Sequence, residues 1–392
     1  MTGRRTYLDY NATAPLRSEA REAMLAAMSL TGNPSSVHAE GRRARAIVEE
    51  ARNEVAALAG ARPDEVVFTS GATEALNWVT RGGWSRILAA RLEHPAVLEP
   101  SRRDDLLREI AVSKEGAIDL PSLAAALDAS AEQPLPTLVF AQLANNETGI
   151  TQDVAAVAAL ARAKGAVTAT DAVQAAGRIA LDFASLGADL MVLSSHKIGG
   201  PKGVGALIAR DGRFPPALIS GGGQERRRRA GTENVEAIAG FGAAAHEARR
   251  EATGTSHMRA LRDNLEEQIR HLRPDAVIVG AASPRIPNTM AIGVPGTTAE
   301  TVAIKLDLAG VAVSAGAACS SGKVGVSSVL AAMGLPVEIA RAVIRVSLGH
   351  GTSETDIAAF IAAWSDAVTK ARPGGRVHAH DTAASRVAAP GE

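Results

Sequence analysis

The chain has 392 residues, 46% hydrophobic and 21% charged, and its 42 basic and 42 acidic side chains cancel to a formal net charge of zero. That length suggests two or three domain-sized units, and the charge balance gives no electrostatic support to a nucleic-acid role. No apolar run approaches the roughly 20 residues of a membrane span, Arg4 and Arg5 lead to Asp9 rather than to an apolar signal core, and a lone cysteine rules out an internal disulfide and argues against a cysteine-built metal site, so a cytoplasmic protein is expected.

Residues 7–15 form a short strand-like start and a turn. An amphipathic helix follows over 18–30, then a polar loop over 32–38 and a second helix over 43–58, rich in Ala, Glu and Arg. From Val66 onward short apolar runs alternate with helical segments. The predicted strands are 66–69, 87–89, 138–141, 167–170, 190–193 and 206–209. Helical stretches of about ten or more residues separate most of them, the βαβ signature of a mostly parallel sheet in an α/β fold. Residues 235–273 read as long helix. The rhythm then changes: strands over 276–279 and 289–292, a helix to Leu308 opened by a capping-box pattern at Thr297-Thr298-Ala299-Glu300, strands over 311–314 and 342–347, and an amphipathic helix over 352–370. This divides the chain into a large domain, 15–255, and a small α+β domain made of 1–14 and 256–372. The Gly-, Ala- and Pro-containing remainder, 373–392, is expected to be a disordered tail.

Three stretches carry candidate chemistry. Leu190 to Leu193 is an apolar run ending in Ser194-Ser195-His196-Lys197, with a Gly/Pro-rich turn and a second apolar run behind it. Lys197 there is either a surface lysine or a neutral, nucleophilic amine with a depressed pKa. Val167 to Thr170 runs into Asp171, which is either a helix N-cap or a carboxylate presented at a strand's carboxyl end, where open α/β sheets bind ligands. Val66 to Thr69 runs into Ser70-Gly71-Ala72-Thr73, a small-residue turn that opens a helix and suits a phosphate. Together they supply what pyridoxal 5'-phosphate needs: a lysine for a Schiff base, a carboxylate for the pyridine nitrogen and a phosphate cup. Cys319 lies among Ser, Ala and Gly with Lys323 nearby, a poor setting for a core residue and a favourable one for a reactive thiol.

Further stretches extend this pattern: Leu8-Asp9-Tyr10-Asn11-Ala12-Thr13, Asn33-Pro34-Ser35-Ser36-Val37-His38, Glu93-His94-Pro95-Ala96-Val97, Asn145-Asn146-Glu147-Thr148-Gly149, Asp171-Ala172-Val173-Gln174, Gly221-Gly222-Gly223-Gln224-Glu225, Arg229-Ala230-Gly231-Thr232, Cys319-Ser320-Ser321-Gly322 and Arg345-Val346-Ser347-Leu348-Gly349. In this order they resemble the cysteine desulfurases, class-V aminotransferase relatives of the fold-type I pyridoxal phosphate enzymes, and in particular the group that feeds iron–sulfur cluster assembly. The resemblance spans residues 7 to about 362. It implies that Lys197 carries the cofactor, Asp171 pairs with the pyridine nitrogen, and His94 stacks on the ring as part of the catalytic set. It implies that Gln174 bonds the ring's phenolic oxygen beside Asn146, and that Ala72, Thr73, Ser194 and His196 hold the phosphate. Thr232 would reach the phosphate from the other subunit of a homodimer. Arg345, with Asn146, would bind the substrate, and Cys319 would accept sulfur from L-cysteine as a persulfide, leaving L-alanine. A sulfur-acceptor protein, such as an iron–sulfur scaffold, is the implied partner, and neither membrane nor nucleic acid is. Selenocysteine lysis or aminotransfer on the same fold are the alternatives. The sequence departs from the resemblance at the run Arg226-Arg227-Arg228-Arg229, read as a solvated charge run or a docking patch for an acidic partner, at His350, and in the tail.

Overall fold

The computed structural model describes residues 5–128, 136–315 and 326–369. Cys319 and the 373–392 tail lie outside the described residues.

In chain order the strands are β1 (Thr6–Tyr7), β2 (Val66–Thr69), β3 (Arg86–Ala90), β4 (Leu107–Ile110), β5 (Thr137–Phe140), β6 (Val167–Asp171), β7 (Leu190–Ser194), β8 (Gly205–Ala209), β9 (Val277–Ile278), β10 (Thr289–Gly293), β11 (Val311–Ala312), β12 (Ser314–Ala315) and β13 (Ile344–Ser347). Seven of them form the main sheet, in the order β2-β8-β7-β6-β5-β3-β4. β7, β6, β5, β3 and β4 are parallel, while β8 runs antiparallel to both β7 and β2. The chain is therefore an α/β protein with a mostly parallel main sheet, as the fold-type I resemblance implies.

The apolar runs of this sheet are unbroken because both faces are covered. Alternation sorts their side chains between two cores. Phe68, Leu88, Val139, Met191 and Ile208 face one, with the helices Ala39–Ala59 and Val235–Ala252 packed on it. Val67, Ile87, Leu138, Val192 and Leu207 face the other, with the helices Ala72–Thr80 and Pro95–Arg103.

A second sheet, β12-β13-β10-β9, is antiparallel throughout, and β1 pairs in parallel with β11. Leu8 joins Leu265, Met290, Leu306, Val346, Phe360 and Trp364 in a separate core beneath it. The backbone at Asp9 bridges to Ser347, so this early segment is tied to β13, the last strand among the described residues.

The structure departs from the sequence reading in four places. The strand β4 was not expected: its middle residues, Arg108 and Glu109, are exposed, because a sheet edge needs one apolar face at most and is protected by charge. The 235–273 helix is two helices, Val235–Ala252 and Ser256–Leu272, broken at Thr253-Gly254-Thr255, where glycine and β-branched threonines favour a stop. The 311–314 strand is two, β11 and β12, which pair with different partners. The helix Ala299–Leu308 is capped by Thr298, whose side chain accepts from the Thr301 amide, rather than by Thr297 with Glu300.

Candidate active site

A cleft of about 660 Å³ opens at the carboxyl ends of β2, β3, β5, β6 and β7. Each of those strands ends in a residue or turn that lines it: Gly71 to Thr73 after β2, His94 after β3, Gln142 and Asn146 after β5, Asp171 at the end of β6 with Val173 and Gln174 after it, and Ser194 at the end of β7 with His196 and Lys197 after it. Arg345 reaches the same cleft from β13. Ligands gather at this edge because parallel strands aim their carboxyl ends, and the helix N-termini that follow, at one place.

Lys197 sits one turn beyond β7, at the end of the 3-10 segment Ser195–Lys197. Its Nζ donates to the carbonyl of Asn11 at 2.6 Å and to that of Ala12 at 2.8 Å. Asp171 is 4% exposed and its Oδ1 accepts the Val173 amide at 2.9 Å, so the local capping role weighed against a ligand role coexists with a place in the cleft wall. Burial raises the Asp171 pKa, while His94, the Val173 amide and Lys197 pull it back. Burial lowers the pKa of His94, and the charge of Lys197 lowers it further against the pull of Asp171. His94 also caps the helix Pro95–Arg103, its Nδ1 accepting the Ala96 amide at 3.0 Å. That bond fixes the neutral ring with its proton on Nε2. His196 is pushed down to about 4 by burial and by Lys197 and Lys202, and its Nδ1 lies 3.2 Å from the Thr13 hydroxyl.

At the other end of the cleft the helix Ala72–Thr80 begins. Its first amides have no acceptor within the helix, and the Ser194 hydroxyl, His196 and Lys202 complete a cationic and donor-rich cup around them. Gly71 adopts φ +153, a conformation that favours glycine, and a Cβ on Gly205 of the neighbouring strand would lie 2.8 Å from the Gly71 backbone, so glycine at 205 lets β8 approach the turn.

Arg345 is held in place by neighbouring groups of the chain. Its Nη1 donates to the Asn146 carbonyl at 2.9 Å, and its Nη2 to Asp9 Oδ1 at 2.8 Å and to the Ser314 hydroxyl at 2.9 Å. Its Nε is buried and has no acceptor among the described residues. Asp9, Asn11 and Gln142 are functional-site residues that the sequence reading left without a role, although Asp9 and Asn11 stand in the first of the quoted motifs. Asn11 is the hub: its backbone carbonyl accepts from Lys197 and from Gln174, and its side-chain Nδ2 donates to the Thr289 hydroxyl and to the Asn146 carbonyl.

Three expected members stand apart. Thr232 is exposed and does not line the cleft of its own chain. Cys319 lies outside the described residues. The arginine run is not one uniform patch: Arg229 clamps Glu74 at 3.0 and 3.1 Å, Arg228 stacks on Phe214 at 4.1 Å, Arg226 lies 3.7 Å from Glu49, and Arg226 and Arg227 take positive φ.

The class-V aminotransferase pattern matches residues 6–360. The chain belongs to the class-V aminotransferase family. It is similar to the cysteine desulfurase IscS of Dictyoglomus turgidum, 38% identical over 367 residues that cover 90% of this chain and 92% of that one. A cysteine desulfurase of a Frankia species is 42% identical over 377 residues, covering 90% and 88%. The structure of a NifS-like protein from Rickettsia africae superposes with a TM-score of 0.85 at 34% identity, covering 93% of this chain and all of that one. The chain is thus an enzyme of a pyridoxal phosphate-dependent family. Among the described residues no helix is long and apolar enough to cross a membrane.

The cleft residues fit that cofactor on physical grounds. A lysine, a buried carboxylate raised by burial, a neutral imidazole, a helix N-terminus with added donors and a buried guanidinium with an unused N–H share one cavity.

Glu93, next to His94, adds a pH-dependent element. It is 3% exposed, its Oε1 accepts the Gln142 amide at 2.7 Å, and its Oε2 has no partner among the described residues. Burial pushes its pKa up to about 8, with Asp171 adding to the rise. The unfolded chain gives up this proton near the ordinary carboxylate value and the folded protein only near 8. Stability contributed by the protonated group therefore falls as pH rises between those values. Replacing Glu93 with Gln is expected to remove that slope. In thermal melts between pH 5 and 9, the melting temperature of the variant should gain on the parent with rising pH, and a constant difference would refute the assignment.

Proposed function

We propose that this enzyme is a cysteine desulfurase that converts L-cysteine to L-alanine and passes the sulfur, as a persulfide on Cys319, to an acceptor protein such as an iron–sulfur scaffold. The observation that carries the reading is the convergence of Lys197, Asp171, His94 and Arg345 on one cleft, in a chain about 40% identical over 90% of its length to cysteine desulfurases.

In this reading Lys197 is the lysine that holds pyridoxal phosphate, with Asp171 facing the ring nitrogen, His94 against the ring and Gln174 toward the ring oxygen beside Asn146. Ala72, Thr73, Ser194 and His196 receive the phosphate. The bound cofactor supplies an electron sink for the charge that develops at the substrate Cα. Arg345 binds the substrate carboxylate, using a guanidinium already oriented by Asp9, Ser314 and the Asn146 carbonyl. Lys197 Nζ takes the Cα proton and moves it, and the carbonyls of Asn11 and Ala12 hold that amine in place. The Cys319 thiolate attacks the substrate sulfur. The new S–S bond forms as the substrate C–S bond breaks, its electron pair stays on carbon, and protonation there gives alanine. Atoms balance as one cysteine and one thiol giving one alanine and one persulfide.

Thr232, exposed on its own chain, suits a phosphate site in a second copy, and we take the active form to be a homodimer. An active monomer by light scattering would remove that role.

The test of the function is incubation of the purified protein with L-cysteine and a reducing thiol, with alanine and sulfide measured together. Equal amounts of both are expected. Pyruvate in place of alanine, or an amino group passed to a keto acid, would overturn the reading. Arg345→Lys is expected to raise KM for cysteine by on the order of 10²-fold, since a point charge cannot make the paired bonds of the fork. Its kcat should change far less, and an unchanged KM would take the carboxylate contact away from Arg345.

A further inference from the structure

We propose that Arg178 is a positioning residue of this site, fixing the side-chain amide of Gln174 so that an N–H, not the carbonyl oxygen, is offered to the cleft. The proposal rests on the reading of the cleft as a pyridoxal phosphate site.

Arg178 is 6% exposed and follows the turn at Gly177, just behind the cleft wall. Its Nη1 donates to the Gln174 carbonyl at 2.8 Å and to Gln174 Oε1 at 2.7 Å. Its Nη2 reaches the Tyr10 carbonyl at 3.4 Å and the Lys197 carbonyl at 3.5 Å. All four acceptors are neutral. Among the described residues no carboxylate lies in ion-pair reach of it. Glu251, which lines the same small cavity of about 30 Å³, is held fork-to-fork by Arg17 at 2.7 and 2.6 Å. A buried guanidinium without a counter-charge is costly, and burial pushes its pKa down to about 9, with the charge of Arg345 adding to the effect. Tyr10, Lys197, Arg17, Glu251 and His350 are the other charged or titratable groups around that cavity.

What the cost secures is an orientation. A guanidinium has donors only, so the Gln174 group facing it must be the oxygen. The amide nitrogen is thereby turned the other way. One of its hydrogens goes to the Asn11 carbonyl at 3.0 Å, the same carbonyl that accepts Lys197 Nζ at 2.6 Å. The second is left for a ligand in the cleft that Gln174 lines. Without Arg178 only the Asn11 carbonyl opposes turning the amide over, which would present an acceptor where an electron-rich ring oxygen needs a donor.

The experiment compares the cofactor-loaded parent with R178M, R178K, Q174A and the R178M/Q174A and R178K/Q174A double variants. The pH midpoint of the visible band of lysine-bound pyridoxal is read in each. A donor to the ring oxygen weakens proton binding at the linkage, so its loss should raise the midpoint. Q174A and R178M are expected to raise it similarly, by on the order of one pH unit, a tenfold change in proton affinity. R178K should give a smaller rise. In the Q174A background neither Arg178 substitution should add anything, because residues acting through one another are not additive. An unmoved midpoint in R178M or R178K, or rises that sum in the double variants, would overturn the proposal. If R178M does not fold, the R178K pair decides on the same criteria. Thermal melts of the same proteins without cofactor give an independent reading: coupled losses support the contact and additive losses overturn it. A parent without the visible band would strike the cofactor reading, and the melts would still judge Arg178.

Discussion

Cys319→Ser is expected to end sulfur transfer while leaving cofactor and substrate binding in place. The two tasks draw on different parts of the chain. In the proposed reading cofactor binding uses the ends of β2, β3, β6 and β7, and substrate binding uses Arg345 with Asp9 and Ser314 behind it; these residues lie in or around one described cleft. Sulfur abstraction needs a soft, ionisable nucleophile. A thiol titrates within reach of neutral pH, whereas a hydroxyl does not, and the chain has no second cysteine to substitute. Alanine formation should fall by at least roughly 10³-fold, in line with losing an activated nucleophile. Mass spectrometry after cysteine treatment should place an added sulfur on the Cys319 peptide of the parent and not on the variant. The spectral change on mixing with cysteine should persist. Undiminished alanine release from the serine variant would show that the thiol is not the acceptor and would favour direct elimination of sulfide.

Lys197→Ala is expected to have the larger kinetic effect, a loss of roughly 10⁴-fold or more, because in the proposed mechanism one amine both holds the cofactor and moves the Cα proton. The visible band should vanish, and borohydride should no longer fix a pyridoxyl group to the chain. Lys202, which lines the same cleft, is the residue to which a surviving adduct would point. The fold should survive. Lys197 Nζ satisfies the Asn11 and Ala12 carbonyls at the cleft wall, where water can replace it, so the stability cost is that of ordinary hydrogen bonds, about 1–2 kcal/mol. Collapse of the folded state in the variant would mean that the lysine is there for structure first.

His94 and His196 both have lowered pKa values, from burial first and from Lys197 among the nearby charges. In the proposed reading a neutral His196 leaves Lys202 and the helix N-terminus to meet the phosphate charge at that end of the cleft.

The linear chain revealed the sheet because its strands are buried on both faces. Continuous apolar runs such as Leu190-Met191-Val192-Leu193 have no polar side to blur them, and each was found within a residue or two of its place. The same property exposed the candidate site. In a parallel sheet the chemistry sits where an apolar run stops, so Asp171, Ser194, His196, Lys197 and the Gly71 turn could be found by reading one residue or one turn past a strand. Where burial is partial, that signal fades. The edge strand β4 carries Arg108 and Glu109 toward solvent and shows no run.

The sequence by itself determined the α/β architecture, the strand-end residues and the family pattern, because these depend on local patterning and on motifs a few residues long. Only the tertiary structure decided which distant groups meet. Asp9 orients Arg345 across 336 positions, Asn11 accepts from Lys197 across 186, and Tyr10 accepts from Arg178 across 168. The physical reason is that β1 and the Asp9 bridge tie the start of the chain to β11 and β13, which brings the second sheet over the carboxyl edge of the first. The uncompensated charge of Arg178 belongs to the same class of fact. Nothing in Gln174-Ala175-Ala176-Gly177-Arg178 says that this arginine is buried, and only packing shows that the carboxylate in the neighbouring cavity wall, Glu251, is already taken by Arg17.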